Sequence, residues 1–297
     1  MLTYGNHFVG KRNNYLLNSY DKYNPLNLPP NTVRVRTSDG NRPSGNYTTY
    51  ESATLVQGTS DVYDVYKSGT DFSDLLWCSF NTIEVLGANT TGITNMHEMF
   101  ANCWSLTSVA LFDISNVTDM SRMFAYCKVL TKVPLFDTSS VTNMEYTFET
   151  CQSLTSIPLF DTSNVITMFG TFDGCWSLTS VPLFNTSKLE RMDMMFMNCI
   201  SLTSVPLFNT VNVKHMVNAF NNCSSLTSIP LFNTSKVTWM FRMFYNCYKV
   251  ESGALALYQQ ASSQATPPTD HTQTFYNCGR DTTTGAAELE QIPSDWK

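Results

Sequence analysis

The chain has 297 residues, with 18 lysines and arginines against 24 aspartates and glutamates, a formal charge of −6. Only 14% of its residues are charged and no basic stripe exists, which argues against nucleic acid or an anionic membrane surface as partner. No apolar run has the length of a membrane span or a secretory leader, so no membrane insertion is expected.

Residues 1–30 are polar, rich in Asn and Tyr, and end in Pro29-Pro30, the pattern of an extended arm or attachment segment. Residues 31–92 predict a β-rich N-terminal cap. Alternating or short apolar runs place strands over 32–37, 53–56 and 62–66, the first two separated by the turn signals Asp39-Gly40 and Pro43-Ser44-Gly45. A helical turn over 71–78 and a strand over 82–86 follow. Cys78 lies 25 residues before Cys103, one off the period that begins there, so this stretch predicts an irregular first repeat.

From 93 to 248 one 24-residue unit is written seven times. Its mark is a Phe three residues ahead of a Cys, from Phe100/Cys103 to Phe244/Cys247, with a Met four residues before each Phe, from Met96 to Met240. Leu106, Leu130, Leu154, Leu178, Leu202 and Leu226 keep the same step. A fixed period of this length is the signature of a solenoid, in which each unit buries its apolar positions against the next. Met120, Met123 and Phe124 have the spacing of one helical face, and Thr118 or Asp119 can cap such a helix. Residues 130–133 alternate like a strand, and Pro134 ends main-chain pairing there. Leu135 and Phe136 resume the apolar line, residues 137–139 form a turn, and Val141 points inward from a second short strand. Strands stacking at roughly 4.8 Å and helices at roughly 8–10 Å would curve the array with strands inside.

Past residue 248 the period fails. Residues 251–264 predict a helix, Pro267-Pro268 breaks it, Phe275 and Cys278 restate the signature, and 288–293 read as a last strand, so 249–297 form a C-terminal cap. The fold class expected is an α/β repeat: a leucine-rich-repeat-type solenoid with short strands on one side, short helices on the other, and a cap at each end.

Nine cysteines would suggest disulfides in a secreted chain, but seven occupy one equivalent position per repeat. Parallel Cβ vectors are poor disulfide geometry, so buried thiols acting as small hydrophobes are expected, not disulfides or a metal site. Asp113, Asp137 and Asp161, continued by Asn185, Asn209 and Asn233, could suggest a calcium ladder. Their interchange favours turns in which each side chain bonds its own backbone. Four scattered histidines and the lack of a phosphate loop or nucleophile elbow leave catalysis without support, and no cofactor is expected.

Comparing the repeats separates faithful positions from variable ones. The Thr at 107, 131, 155, 179, 203 and 227 makes a monotonous hydroxyl face. Variable positions flank each Phe and Cys and carry charged, polar and large apolar residues alike, which predicts exposure. Among them Trp104, Tyr126, Tyr146, Phe169, Trp176, Met194, Met197, Trp239, Phe241, Tyr245 and Tyr248 are of the types enriched in binding hot spots. They are the expected recognition or subunit-packing surface, on the helical side.

The unit from Ser105 to Cys127 and its copies resemble the BspA-like leucine-rich repeats of bacterial surface proteins, in the subtype reading Met-x-x-Met-Phe-x-x-Cys. The resemblance covers about residues 72–280; the second Met is replaced by Thr147, Thr171 and Ala219. It implies a leucine-rich-repeat solenoid used for adhesion, without enzymatic activity. The lead-in Ile83 to Gly92 resembles the start of such repeats in gut bacteriophage proteins. With neither export signal nor anchor expected, the reading is a virion appendage, a head or tail fibre assembled in the bacterial cytoplasm; the alternative is a bacterial cell-surface adhesin. Expected partners are other virion proteins through residues 1–30, a host surface glycan or protein, and further copies of the chain, with a trimer favoured.

Overall fold

In the computed structural model residues 26–45 and 48–297 are described; the expected arm lies outside the described residues up to residue 25. Five strands open the chain: β1 (Thr32–Thr37), β2 (Ser52–Leu55), β3 (Val62–Tyr66), β4 (Thr82–Asn89) and β5 (Ser108–Val109), in the order β2-β3-β1-β4-β5. The alternation in β1 buries Val33 and Val35 and turns Arg34 and Arg36 outward. Arg34 lies directly opposite Asp64 on β3 and bonds both its oxygens, at 2.6 and 2.8 Å. All pairings are antiparallel except β4–β5, where Glu84 and Val85 face Ser108 and Val109 in parallel. At that seam the sheet gives way to the repeats.

The repeats form no helices, a correction to the sequence reading. Each Met-x-x-Met-Phe-x-x-Cys segment is a run of turns whose amide groups alternate in direction. The N–H groups of Met120, Arg122, Phe124 and Tyr126 reach the carbonyls of Asn143, Glu145, Thr147 and Glu149 one repeat on, at 2.7–3.0 Å. Those of Met123, Ala125 and Cys127 fold back three residues within the turn. Left-handed backbone at Arg122 (φ 55°) and Tyr126 (φ 62°), repeated in the other coils, reverses the chain between the two directions. A helix would spend its N–H groups on itself and hold its neighbour at roughly 8–10 Å. These turns spend half of theirs on the next repeat, which brings coils to strand-like spacing. The i, i+3, i+4 pattern suited both geometries.

The expected strands shrink as well. The second becomes one parallel bridge per repeat, running through Asn95, Asp119, Asn143, Thr167, Arg191, His215 and Trp239. The stretch 130–133 and its later copies form no strand; single bonds such as Thr155 N–H to the Thr131 carbonyl (3.2 Å) join them. With both sides stepping by similar amounts, the argument for curvature falls away. Cys78 proves not to be the displaced signature cysteine: Asp71 bridges Asn95, Leu76 stands where Phe100 does, and buried Ser79 holds the cysteine position.

The Met, Phe, Leu and Cys columns form one continuous core. Phe148, Phe172 and Phe196 stack nearly parallel at 5.5–5.7 Å between centroids, and the column ends on Phe275 and Trp296. All nine cysteines are free. Each thiol of the column donates to a carbonyl of the preceding coil, as Cys127 does to Phe100 at 3.2 Å, and burial pushes the Cys103 thiol up to about 12. Phe136 and its copies point inward, but Leu135, Leu159, Leu183, Leu207 and Leu231, each directly after a proline, lie more than half exposed in a row. The residues 137–139 and their copies are the expected turns: Asp137, Asp161 and Asn185 each accept the N–H two residues on.

Two helices close the chain, α1 (Ala254–Ser262) and α2 (Thr283–Glu290). The strand expected over 288–293 is instead the end of α2 and a turn. Thr282 caps α2 by accepting the Gly285 N–H at 3.0 Å, and the Ala-Ala-Glu-Leu-Glu run that follows favours helix.

Candidate functional site

The position before each Cys from Cys103 onward sits in the left-handed region, where Asn is tolerated best among residues with a side chain. Asn198, Asn222, Asn246 and Asn277 occupy it in successive coils, and their amides bond in series at 2.9–3.0 Å. The series ends on a carboxylate: Asn198 Nδ2 donates to Asp173 Oδ1 at 3.1 Å. One coil earlier, Glu149 accepts from the Tyr126 hydroxyl at 2.9 Å and from Arg122 Nη1 at 3.1 Å.

Between these groups runs a shallow groove of about 690 Å³, within the range of ligand sites. Tyr126, Trp176 and Tyr248 supply its aromatic walls; Glu149, Asp173 and the amides of Asn198 and Asn222 supply its polar groups, with Thr150, Ile200 and Ser224 beside them. Burial pushes the Asp173 carboxyl up to about 6; the Asn198 bond opposes that shift, and the nearby Glu149 charge adds to it. Burial, then the bond to Glu149, raises the Tyr126 hydroxyl too. Gly174 takes the pre-Cys position beside Asp173 at φ 72°, where its lack of a Cβ leaves room against Thr150.

Three of the eleven residues singled out from sequence therefore meet in one place. Trp104 lies in the same column as Trp176 but outside the groove, with Lys128 Nζ 5.3 Å from its ring centre. Tyr146 and Phe169 pack edge-to-face at 5.0 Å under Arg122 and Arg191. Trp239 stacks on His215 at 4.2 Å. Phe241 and Tyr245 flank Arg242, and Tyr245 also stacks on Tyr276. Met194 and Met197 are half-buried outside the groove. The acids and amides are not marked by residue type in the variable columns, where charged and polar residues are expected on any exposed surface. The recurrence of Asn before Cys was the signal for them.

Among the described residues no group of three or more His, Cys, Asp or Glu side chains could hold a metal ion, and no helix is long and apolar enough to cross a membrane.

The family described as "Mycoplasma protein of unknown function, DUF285" matches residues 71–180 and 170–280. No curated protein matches the sequence. Among solved structures, a leucine-rich repeat protein from Eubacterium ventriosum is similar at 23% identity with a TM-score of 0.39. The match covers 58% of this chain and 41% of that one, so this chain spans less than half of that protein's length.

Proposed function

This chain belongs to the family described as Mycoplasma protein of unknown function, DUF285, and we propose that it is a non-enzymatic attachment protein whose groove contacts a host surface. One observation carries the reading. The core columns are copied faithfully, while unlike residues gather in the variable columns, and Trp176, Tyr248, Tyr126 and Asp173 converge there on a single groove. A uniform solenoid, capped at both ends, displays that groove. Replacing Trp176 and Tyr248 by alanine should weaken binding of the full chain to host cells; unchanged binding in both would end the proposal.

The setting we propose is a bacteriophage appendage, docked through residues 1–30 and assembled as a trimer. The likeness of residues 83–92 to gut phage repeats supports this. So do nine free thiols, which suit folding in a reducing cytoplasm. The protein should co-purify with phage particles in fixed copy number and sediment as a trimer. Its presence on bacterial cells and absence from particles would assign it to a cell-surface adhesin instead.

A further inference from the structure

Trp104, Trp176 and Tyr248 occupy the same position, directly after a Cys, and are spaced three repeats apart each time. At roughly 4.8 Å per coil this sets successive rings about 14 Å apart along one line. Trp176 is 46% exposed and, among the described residues, carries no ring or cation on its faces, whereas Lys128 covers Trp104 and Arg280 lies 4.4 Å from the centre of the Tyr248 ring. Between Trp176 and Tyr248 the groove presents the Asn198 and Asn222 side chains and, at one end, Asp173. Asp173 Oδ1 is taken by Asn198, and Oδ2 has no protein donor among the described residues. Two flat rings of one line, with acceptors between them, match a polymer long enough to reach from one ring to the other.

We propose that this groove binds a neutral linear polysaccharide, one sugar ring lying on Trp176 and neighbouring hydroxyls donating to Asp173 and exchanging hydrogen bonds with the asparagine amides. Three features select that ligand. Glu149 is already paired with Arg122, no lysine or arginine is among the lining residues, and Arg280 lies on the Tyr248 ring at the far end, so Asp173 leaves the Trp176 end acidic and unfavourable to an anionic polymer. Of the eleven residues lining it, all but Ser224 and Tyr248 have their main-chain N–H committed to adjoining turns and coils, which leaves no continuous strand edge for an extended peptide to join. An exposed indole beside a carboxylate offers both the apolar face and the acceptor that a sugar ring needs.

The proposal rests on the groove being the attachment surface, and the test keeps the two apart. The full chain is run in native gels containing hydroxyethylcellulose, mannan, galactan or polygalacturonate. At least one neutral polymer should retard it; Trp176→Ala should weaken that retardation about tenfold, the loss of one aromatic anchor, and Asp173→Asn several-fold. Trp239→Ala, exposed but outside the groove, should retain it. Retardation by polygalacturonate alone, by no polymer, or equally in Trp176→Ala would overturn the polysaccharide assignment. Host-cell binding by the same variants is measured after periodate or protease treatment of the cells. Loss in Trp176→Ala that follows protease and not periodate would leave the attachment reading standing with a protein ligand. Full binding by both Trp176→Ala and Tyr248→Ala would remove the attachment reading itself.

Discussion

Asp173→Asn should stabilise the protein, and only above acidic pH. In the folded chain the Asp173 carboxyl is pushed from its ordinary 3.8 to about 6, chiefly by burial. The folded state thus holds this proton more tightly than the unfolded state does. Below pH 3.8 both states are protonated and nothing is lost. As pH rises through about 6 the folded chain must carry a charge it disfavours, and the cost reaches its full value above that. At 1.36 kcal/mol per pKa unit the shift corresponds to about 3 kcal/mol, and screening by the open groove trims it to roughly 1–2 kcal/mol. Asparagine keeps an oxygen to accept the Asn198 amide and carries no charge. Urea denaturation of both proteins at pH 7 should therefore show the variant ahead by roughly 1–2 kcal/mol, with the difference vanishing near pH 3.5. A variant that is no more stable at pH 7, or whose gain is the same at both pH values, would refute the assignment of a strained carboxylate. Paired with weaker polysaccharide binding, the gain would mark a residue kept at a cost to stability.

Three further outcomes follow from the packing. Phe172→Ala removes a fully buried ring stacked between Phe148 and Phe196, and should cost about 3–5 kcal/mol in urea unfolding; under about 1 kcal/mol would contradict a continuous core. Native protein treated with iodoacetamide should be labelled first at half-buried Cys78, and at the other eight thiols only once urea opens the chain, as mass spectrometry of the peptides would read. Asn222→Ala should lose about 1–3 kcal/mol, since it breaks two bonds of the amide series and leaves at φ 61° a residue that tolerates the left-handed region less well than Asn; Asn222→Gly, free of that backbone penalty, should lose about 1 kcal/mol less.

The period and the core were legible because equivalent positions meet equivalent surroundings: Met144, Phe148, Cys151 and Leu154 and their copies are buried as the spacing requires. The strands 32–37 and 62–66 and the helix inside 251–264 were legible for the ordinary reasons of alternation and run length. The turns were misread as helices because apolar spacing describes which side chains share a face and says nothing about where the N–H groups go. The corrective signal was Asn102, Asn198, Asn222 and Asn246, recurring where the backbone is left-handed. Leu135 was placed on the apolar line by its neighbours, yet the proline before it turns it outward. In the groove, Trp176 and Tyr248 stood out by type. Asp173 did not, because its column reads Ala101, Ala125, Glu149, Asp173, Met197, Asn221 and Tyr245, so its acids recur in only two of seven copies; its burial comes from the coils on either side.

The outward leucines carry a consequence of a different kind. Leu135, Leu159, Leu183, Leu207 and Leu231 are five identical marks at equal intervals, like graduations without numerals. Any body resting on them would find nearly the same contacts after sliding by one graduation, so they can supply adhesion without an address. Translational symmetry is broken instead at Asp173 and Trp176, the one aspartate and the one tryptophan lining the groove.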